Sequence, residues 1–105
     1  MPSEKAIMHD IMLAVSKAGH RVWRNNVGVA TTRDGSVIRF GLAVGSSDLI
    51  GVTKDGRFLA IECKTDSGRA TDEQLNFISL VRSMGGRAGI ARSISDAFTI
   101  IEGLQ

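Results

Sequence analysis

Two apolar runs, residues 48–53 and 57–64, flank Lys54-Asp55-Gly56, and this arrangement limits the fold more than any other feature of the chain. An Asp-Gly pair between apolar runs is a strong signal for a tight antiparallel hairpin. Successive side chains on a strand point to opposite faces. Phe58, Ala60, Glu62 and Lys64 therefore share one face of the second strand, and Leu59, Ile61 and Cys63 share the other. Because Phe58 and Ala60 are apolar on the face that carries the charges, the strand reads as buried on both sides with a charged tip. Turn length decides where Asp48 falls. A two-residue turn sets Leu49 opposite Glu62 and leaves Asp48 on the wrong face. A three-residue turn, with Gly56 left-handed as a bulge, sets Asp48 directly across from Glu62. Like charges so placed repel, so this register makes sense only with a cation between them. It is the register expected.

The rest of the chain surrounds this hairpin with helices. Ser3 is placed to cap a first helix, on which Ile7, Met8, Ile11, Met12, Val15 and Ala18 recur at spacings of three and four before Gly19 closes it. Residues 20–25 read as a short strand. Residues 26–47, with a turn at 31–36 between weak extended runs, read as a mobile hairpin or a long loop. A polar loop over 65–70 leads to a second helix from about Thr71 to Met84, ended by Gly85-Gly86. Residues 87–92 form a further strand candidate, and Ser95-Asp96 starts a last short helix carrying Phe98, Ile101 and Leu104. The resulting order, α-β-β-β-α-β-α, describes an α/β domain with a mixed sheet, and 105 residues suffice for one such domain, 1–105.

Composition removes several function classes. No apolar stretch approaches the roughly 18 residues of a membrane span, and residues 1–5 carry no apolar signal region. A cytoplasmic protein is the expectation (host cytoplasm if phage-encoded). Cys63 is the only cysteine, which excludes an internal disulfide and a thiolate zinc site. The formal charge of +2 rises by three if Glu4, Asp48 and Glu62 are set aside as metal ligands, which suits a polyanionic partner.

Candidate chemistry gathers at the charged tip. Glu4 falls on the helical stripe of Ile7, Met8, Ile11 and Val15, where a carboxylate is costly unless paired or metal-bound; a first-turn Glu favoured by the helix dipole is the alternative. His9 lies on the opposite helix face, and His20 reads as a solvent or packing residue. Thr71-x-x-Gln74 is a capping-box pattern, a role that by itself would account for Gln74. Cys63 reads as a small core residue whose backbone carbonyl sits between two site residues and could point at a metal. Hard carboxylate oxygens select Mg²⁺ or Mn²⁺. Beside such an ion, Lys64 can orient or help deprotonate an attacking water and offset charge on phosphorus. This set suits phosphodiester hydrolysis.

These residues resemble the PD-(D/E)xK nuclease superfamily, and within it the virus-type replication-repair nuclease (VRR-NUC) domain. The resemblance runs through Glu4, residues 23–28, Phe40-Gly41, residues 45–51, residues 55–57, Ile61-Glu62-Cys63-Lys64, Gly68-Arg69 and Gln74. It implies a restriction-endonuclease-like core. It also implies Asp48, Glu62 and the Cys63 carbonyl as metal ligands, with Glu4 helping directly or through water. Lys64 would activate water, and Gln74 would support Lys64 or a phosphate. Ser47 stands where the superfamily name has proline, and Cys63 replaces a more usual aliphatic residue. Members that consist of the bare domain look like homodimeric, structure-selective nucleases related to Holliday-junction resolvases. The implied partner is branched or distorted DNA, recognised through phosphates and shape. Arg24, Arg33, Arg39, Arg57 and Arg69 lie on segments near the proposed site and are candidates for phosphate contact. Two other readings stand beside this one. One is a nuclease acting on flaps, nicked duplex or single strands; the other is a non-catalytic DNA-binding module of the same fold.

Overall fold

A computed structural model describes residues 2–105. The Ser3 hydroxyl accepts from the Ala6 N–H at 3.1 Å and opens α1 (Glu4–Lys17), satisfying one of the N–H groups that a helix start leaves unpaired. The helix buries Ile7, Ile11 and Val15, the stripe expected from their spacing. Gly19, at φ +97°, turns the chain out of it into β1 (Arg21–Arg24). Next come β2 (Gly28–Thr31), β3 (Val37–Phe40), β4 (Leu49–Val52) and β5 (Phe58–Cys63). The chain ends with α2 (Asp72–Ser83), β6 (Arg87–Ala91) and α3 (Ile94–Ile101). No helix among the described residues is long and apolar enough to cross a membrane.

Four strands form a mixed sheet in the order β1-β4-β5-β6, antiparallel except for the parallel pair β5 and β6. Parallel pairing requires a crossover, which α2 supplies. Helices α1 and α3 cover one face, burying Leu49, Leu59, Ile61, Cys63 and Ala91 beneath them. Helix α2 covers the other face over Ala60 and Ala88. The alternation along β5 therefore feeds two cores, and Glu62 belongs to the α2 side.

The hairpin takes the three-residue turn. Thr53 N–H donates to Arg57 O at 2.8 Å across Lys54-Asp55-Gly56, with Gly56 at φ +90°. Leu49 pairs with Ile61 and Ile50 with Ala60, so one further step sets Asp48 across from Glu62. The His20 ring accepts the Lys54 N–H at 2.9 Å and ties this turn to the end of α1.

Three expectations need correction. For residues 26–47 the hairpin alternative is the one realised, β2 and β3 pairing as a separate antiparallel ribbon, so the element order gains two strands. Weak alternation in a ribbon exposed on both faces kept these two strands out of the expected order. Helix α3 begins at Ile94 with Ser93 as its cap, ahead of the expected Ser95, and Leu104 lies beyond it and exposed. Phe58 is 43% exposed, on an open apolar hollow that Leu80, Val81 and Met84 beside it line without filling; the strand is buried on both faces only from Leu59 onward.

Gly51 pairs with Val22 across β1 and β4, and a Cβ there would overlap the Arg21 carbonyl oxygen. Backbone cannot move aside as a flexible side chain can. Gly51→Ala should therefore lower unfolding stability by about 1–3 kcal/mol, measured by urea titration; an unchanged midpoint would refute this packing.

Candidate active site

The charged tip of β5 lies under the start of α2. Glu62 is 1% exposed. Its Oε2 accepts from Gln74 Nε2 at 3.0 Å and lies 3.4 Å from Lys64 Nζ. Its Oε1 is buried and has no hydrogen-bond partner among the described residues. Buried polar atoms are normally paired, so this orphan oxygen marks a place for a ligand. Asp48, half-buried, accepts the Cys63 N–H at Oδ2, 2.9 Å away. Burial, and then the charge of Asp48, push the Glu62 carboxyl up to about 7, while Lys64 pulls in the opposite direction. Burial, with the charges of Asp48, Glu62 and Glu4 behind it, raises the Cys63 thiol to about 12. That thiol is no nucleophile at neutral pH.

Gln74 has two tasks. The Thr71 hydroxyl accepts the Gln74 N–H, and Gln74 Oε1 accepts the Thr71 N–H at 2.9 Å, completing the capping box. The same side chain's amide nitrogen then holds Glu62. The helix end and the acidic site share one residue.

Glu4 is exposed rather than buried on the core stripe. The stripe is covered only from Ile7 onward, and the first turn of α1 overhangs a cleft of about 350 Å³ lined by Glu4, Arg24, Asn25, Asn26 and Asp48. Glu4 therefore carries no burial cost, and it shares this cleft with Asp48. Among the described residues, no group of three or more His, Cys, Asp or Glu could hold a metal ion by itself; the close pair is Asp48 and Glu62.

The arginine candidates divide. Arg24 lines the cleft with Asp48, and Arg69 is exposed on the loop after Lys64. Arg33 lies in the turn of the β2–β3 ribbon and Arg39 on β3, both exposed. Arg57 does not belong with them. It sits at the turn end of the hairpin, pairs with Asp55 at 3.4 Å and donates to Gly85 O at 2.8 Å. Five residues of strand, about 16 Å, separate it from Glu62.

Two residues were missed by sequence reasoning. Arg92 Nη1 donates to the carbonyls of Thr65 and of Gly68 (2.7 Å for the latter), pinning the loop that follows Lys64. Its importance depends on the parallel pairing of β5 and β6, for which no local signal exists. Asn25, at the end of β1, bonds the Ser46-Ser47 approach to Asp48.

The Glu62 carboxyl binds its proton more tightly folded, at about 7, than its ordinary value of 4.5. Its ionisation therefore costs nothing below about pH 4.5 and its full amount above about pH 7. In metal-free protein, Glu62→Gln should raise stability progressively through that window, reaching on the order of 2–3 kcal/mol at pH 8. Thermal melts of both proteins across pH 4.5–8 test this, and a difference independent of pH would contradict it.

A family model described as the VRR-NUC domain matches residues 10–94 of the chain, a span that includes Asp48, Glu62, Lys64 and Gln74 and leaves out Glu4. Comparison with curated proteins and with solved structures gave no significant match.

Proposed function

Since this chain belongs to the VRR-NUC family of nuclease domains, we propose that it is a Mg²⁺- or Mn²⁺-dependent DNA endonuclease acting through Asp48, Glu62 and Lys64. The observation that carries this reading is the buried Glu62 with an unpartnered Oε1, next to a second carboxylate and a lysine. An isolated pair of this kind is electrostatically costly. A hard divalent cation held between them would relieve the repulsion and give the unpartnered oxygen a partner. Asp48, Glu62 and the Cys63 carbonyl would hold the ion, with Glu4 facing it across the cleft directly or through water. When bound, such an ion polarises a phosphoryl oxygen and lowers the pKa of its water.

The chain's own residues do the remainder. Lys64, held by Glu62 at the mouth of the site, orients the attacking water and offsets charge growing on the phosphate oxygens. Gln74 holds Oε2 of the Glu62 carboxylate and leaves Oε1 without a partner. Arg24 and Arg69 offer charge to neighbouring phosphates, with Arg33 and Arg39 further out along the ribbon. A domain this small has little surface for reading base edges, so recognition rests on phosphate positions and DNA shape. That favours a structure-selective, Holliday-junction-resolvase-like nuclease for branched DNA.

A second copy of the chain supplies the paired cut. Leu42, Phe58, Leu80 and Met84 surround a hollow of about 280 Å³ beside α2, and Met84 is 80% exposed. Leu42, Phe58, Leu80 and Met84 are all exposed there, an apolar face that a second copy would cover. Met84→Glu with Leu80→Glu should turn a dimer into a monomer without loss of helix signal. Sedimentation should show the change; a wild-type monomer at working concentration would end the paired-cut mechanism.

Asp48→Ala or Lys64→Ala should lower cleavage at least about a hundredfold while leaving the fold intact. A panel of labelled four-way junctions, flaps, nicked duplexes and single strands, with Mg²⁺ or Mn²⁺, identifies the substrate. Wild-type cutting by both variants would end the catalytic assignment. Binding to junctions without nicking any DNA would instead make the chain a non-catalytic DNA-binding module.

A further inference from the structure

Antiparallel strands exchange paired hydrogen bonds at every second residue. Between β4 and β5, Thr53 bonds Arg57, so the exchanging series runs on through Gly51–Leu59 and Leu49–Ile61. Its next member is Ser47–Cys63. That exchange is not made. Cys63 N–H donates to Asp48 Oδ2 at 2.9 Å, and the Ser47 carbonyl accepts from Asn25 Nδ2, also at 2.9 Å. Two side chains replace one rung of the sheet.

Asn25 is well placed for the exchange. Its backbone N–H donates to Asp48 O at 2.7 Å, extending the β1–β4 ladder by one residue. Its Nδ2 also donates to Ser46 Oγ at 2.7 Å, and its Oδ1 accepts the Leu42 N–H at 3.4 Å. Ser47 is buried, so its carbonyl must find a donor. If Asn25 did not supply one, the register offers the Cys63 N–H, and its return to Ser47 would release the Asp48 carboxylate.

We propose that Asn25 is a positioning residue: by occupying the Ser47 carbonyl it reserves the Cys63 N–H for Asp48, and so anchors that carboxylate across from Glu62. Its consequence for cleavage rests on the nuclease reading above; its consequence for the geometry does not.

The geometric arm uses Asn25→Ala and Asn25→Asp. Aspartate keeps the shape and the acceptor for Leu42 but cannot donate to Ser47. Crystal structures of these variants should show Cys63 N–H bonded to Ser47 O and the Asp48 carboxylate displaced. An Asp48 carboxylate still on the Cys63 N–H would overturn the proposal. Should neither variant fold, hydrogen-bond scalar couplings in the wild-type protein decide: Cys63 N coupled to the Asp48 carboxyl carbon supports it, and Cys63 N coupled to the Ser47 carbonyl overturns it.

The kinetic arm separates positioning from binding. Turnover at saturating DNA should fall about tenfold or more, with KM for DNA changed by less than about twofold and the Mn²⁺ midpoint raised. A loss confined to KM, or wild-type turnover, would overturn the role. If wild-type protein cleaves no DNA with either metal, the nuclease reading fails, and the geometric arm still decides whether Asn25 anchors Asp48.

Discussion

Hairpin register is the constraint on which the rest of the structure depends. Because side chains alternate along a strand, a slip of one residue moves every one of them to the opposite face. In β5 that slip would bring Glu62 and Lys64 under α1 and α3 and drive Leu59, Ile61 and Cys63 against α2. Both sheet faces are packed, so neither exchange is tolerable. The register is set at the far end of the hairpin, where Gly56 takes a positive φ and Thr53 closes on Arg57. Asp55 there accepts from the Thr53 hydroxyl and pairs with Arg57. A turn with no part in the chemistry thus decides which residues meet at the site.

Helix α2 meets that constraint from the other side. Its first turn carries the partial positive charge of a helix N-terminus, and it opens over a buried carboxylate. Gln74 gives one amide atom to the cap and the other to Glu62. Lys64 reaches the same carboxylate oxygen. Both side chains act on one oxygen of Glu62, which leaves the second without a partner. The site is therefore stabilised on one side only, and the carboxyl stays harder to ionise than an exposed glutamate.

Most of the fold was legible because its signals are local. Caps at Ser3 and Thr71, glycines after the helices, and the Asp-Gly turn each act within a few residues. Strand parity left two registers, and the one expected because a cation could join Asp48 and Glu62 is the one formed. The ribbon was less legible, because Val29, Val37, Ile38 and Phe40 are exposed and leave no clean inside-outside alternation. At the site, periodicity sets Glu4 on the correct stripe but implies burial it lacks, since periodicity does not say where a neighbouring sheet ends. Proximity in sequence groups Arg57 with the site, although a strand carries its two ends far apart. Arg92 and Asn25 act on segments distant along the chain, and only tertiary pairing reveals them.

The β2–β3 ribbon leaves the sheet after β1 and returns before β4, two strands that are themselves hydrogen-bonded neighbours. Its two ends come together at Asn25 and Leu42, so the sheet closes beneath it whatever the excursion contains. Loop-closure entropy grows slowly with length, by about 0.6 kcal/mol per doubling. The ribbon is thus a slot in which a lineage can lengthen, shorten or recharge an exposed arm without disturbing strand order or the acidic pair. The exposed arm and the buried acidic pair are free to change independently.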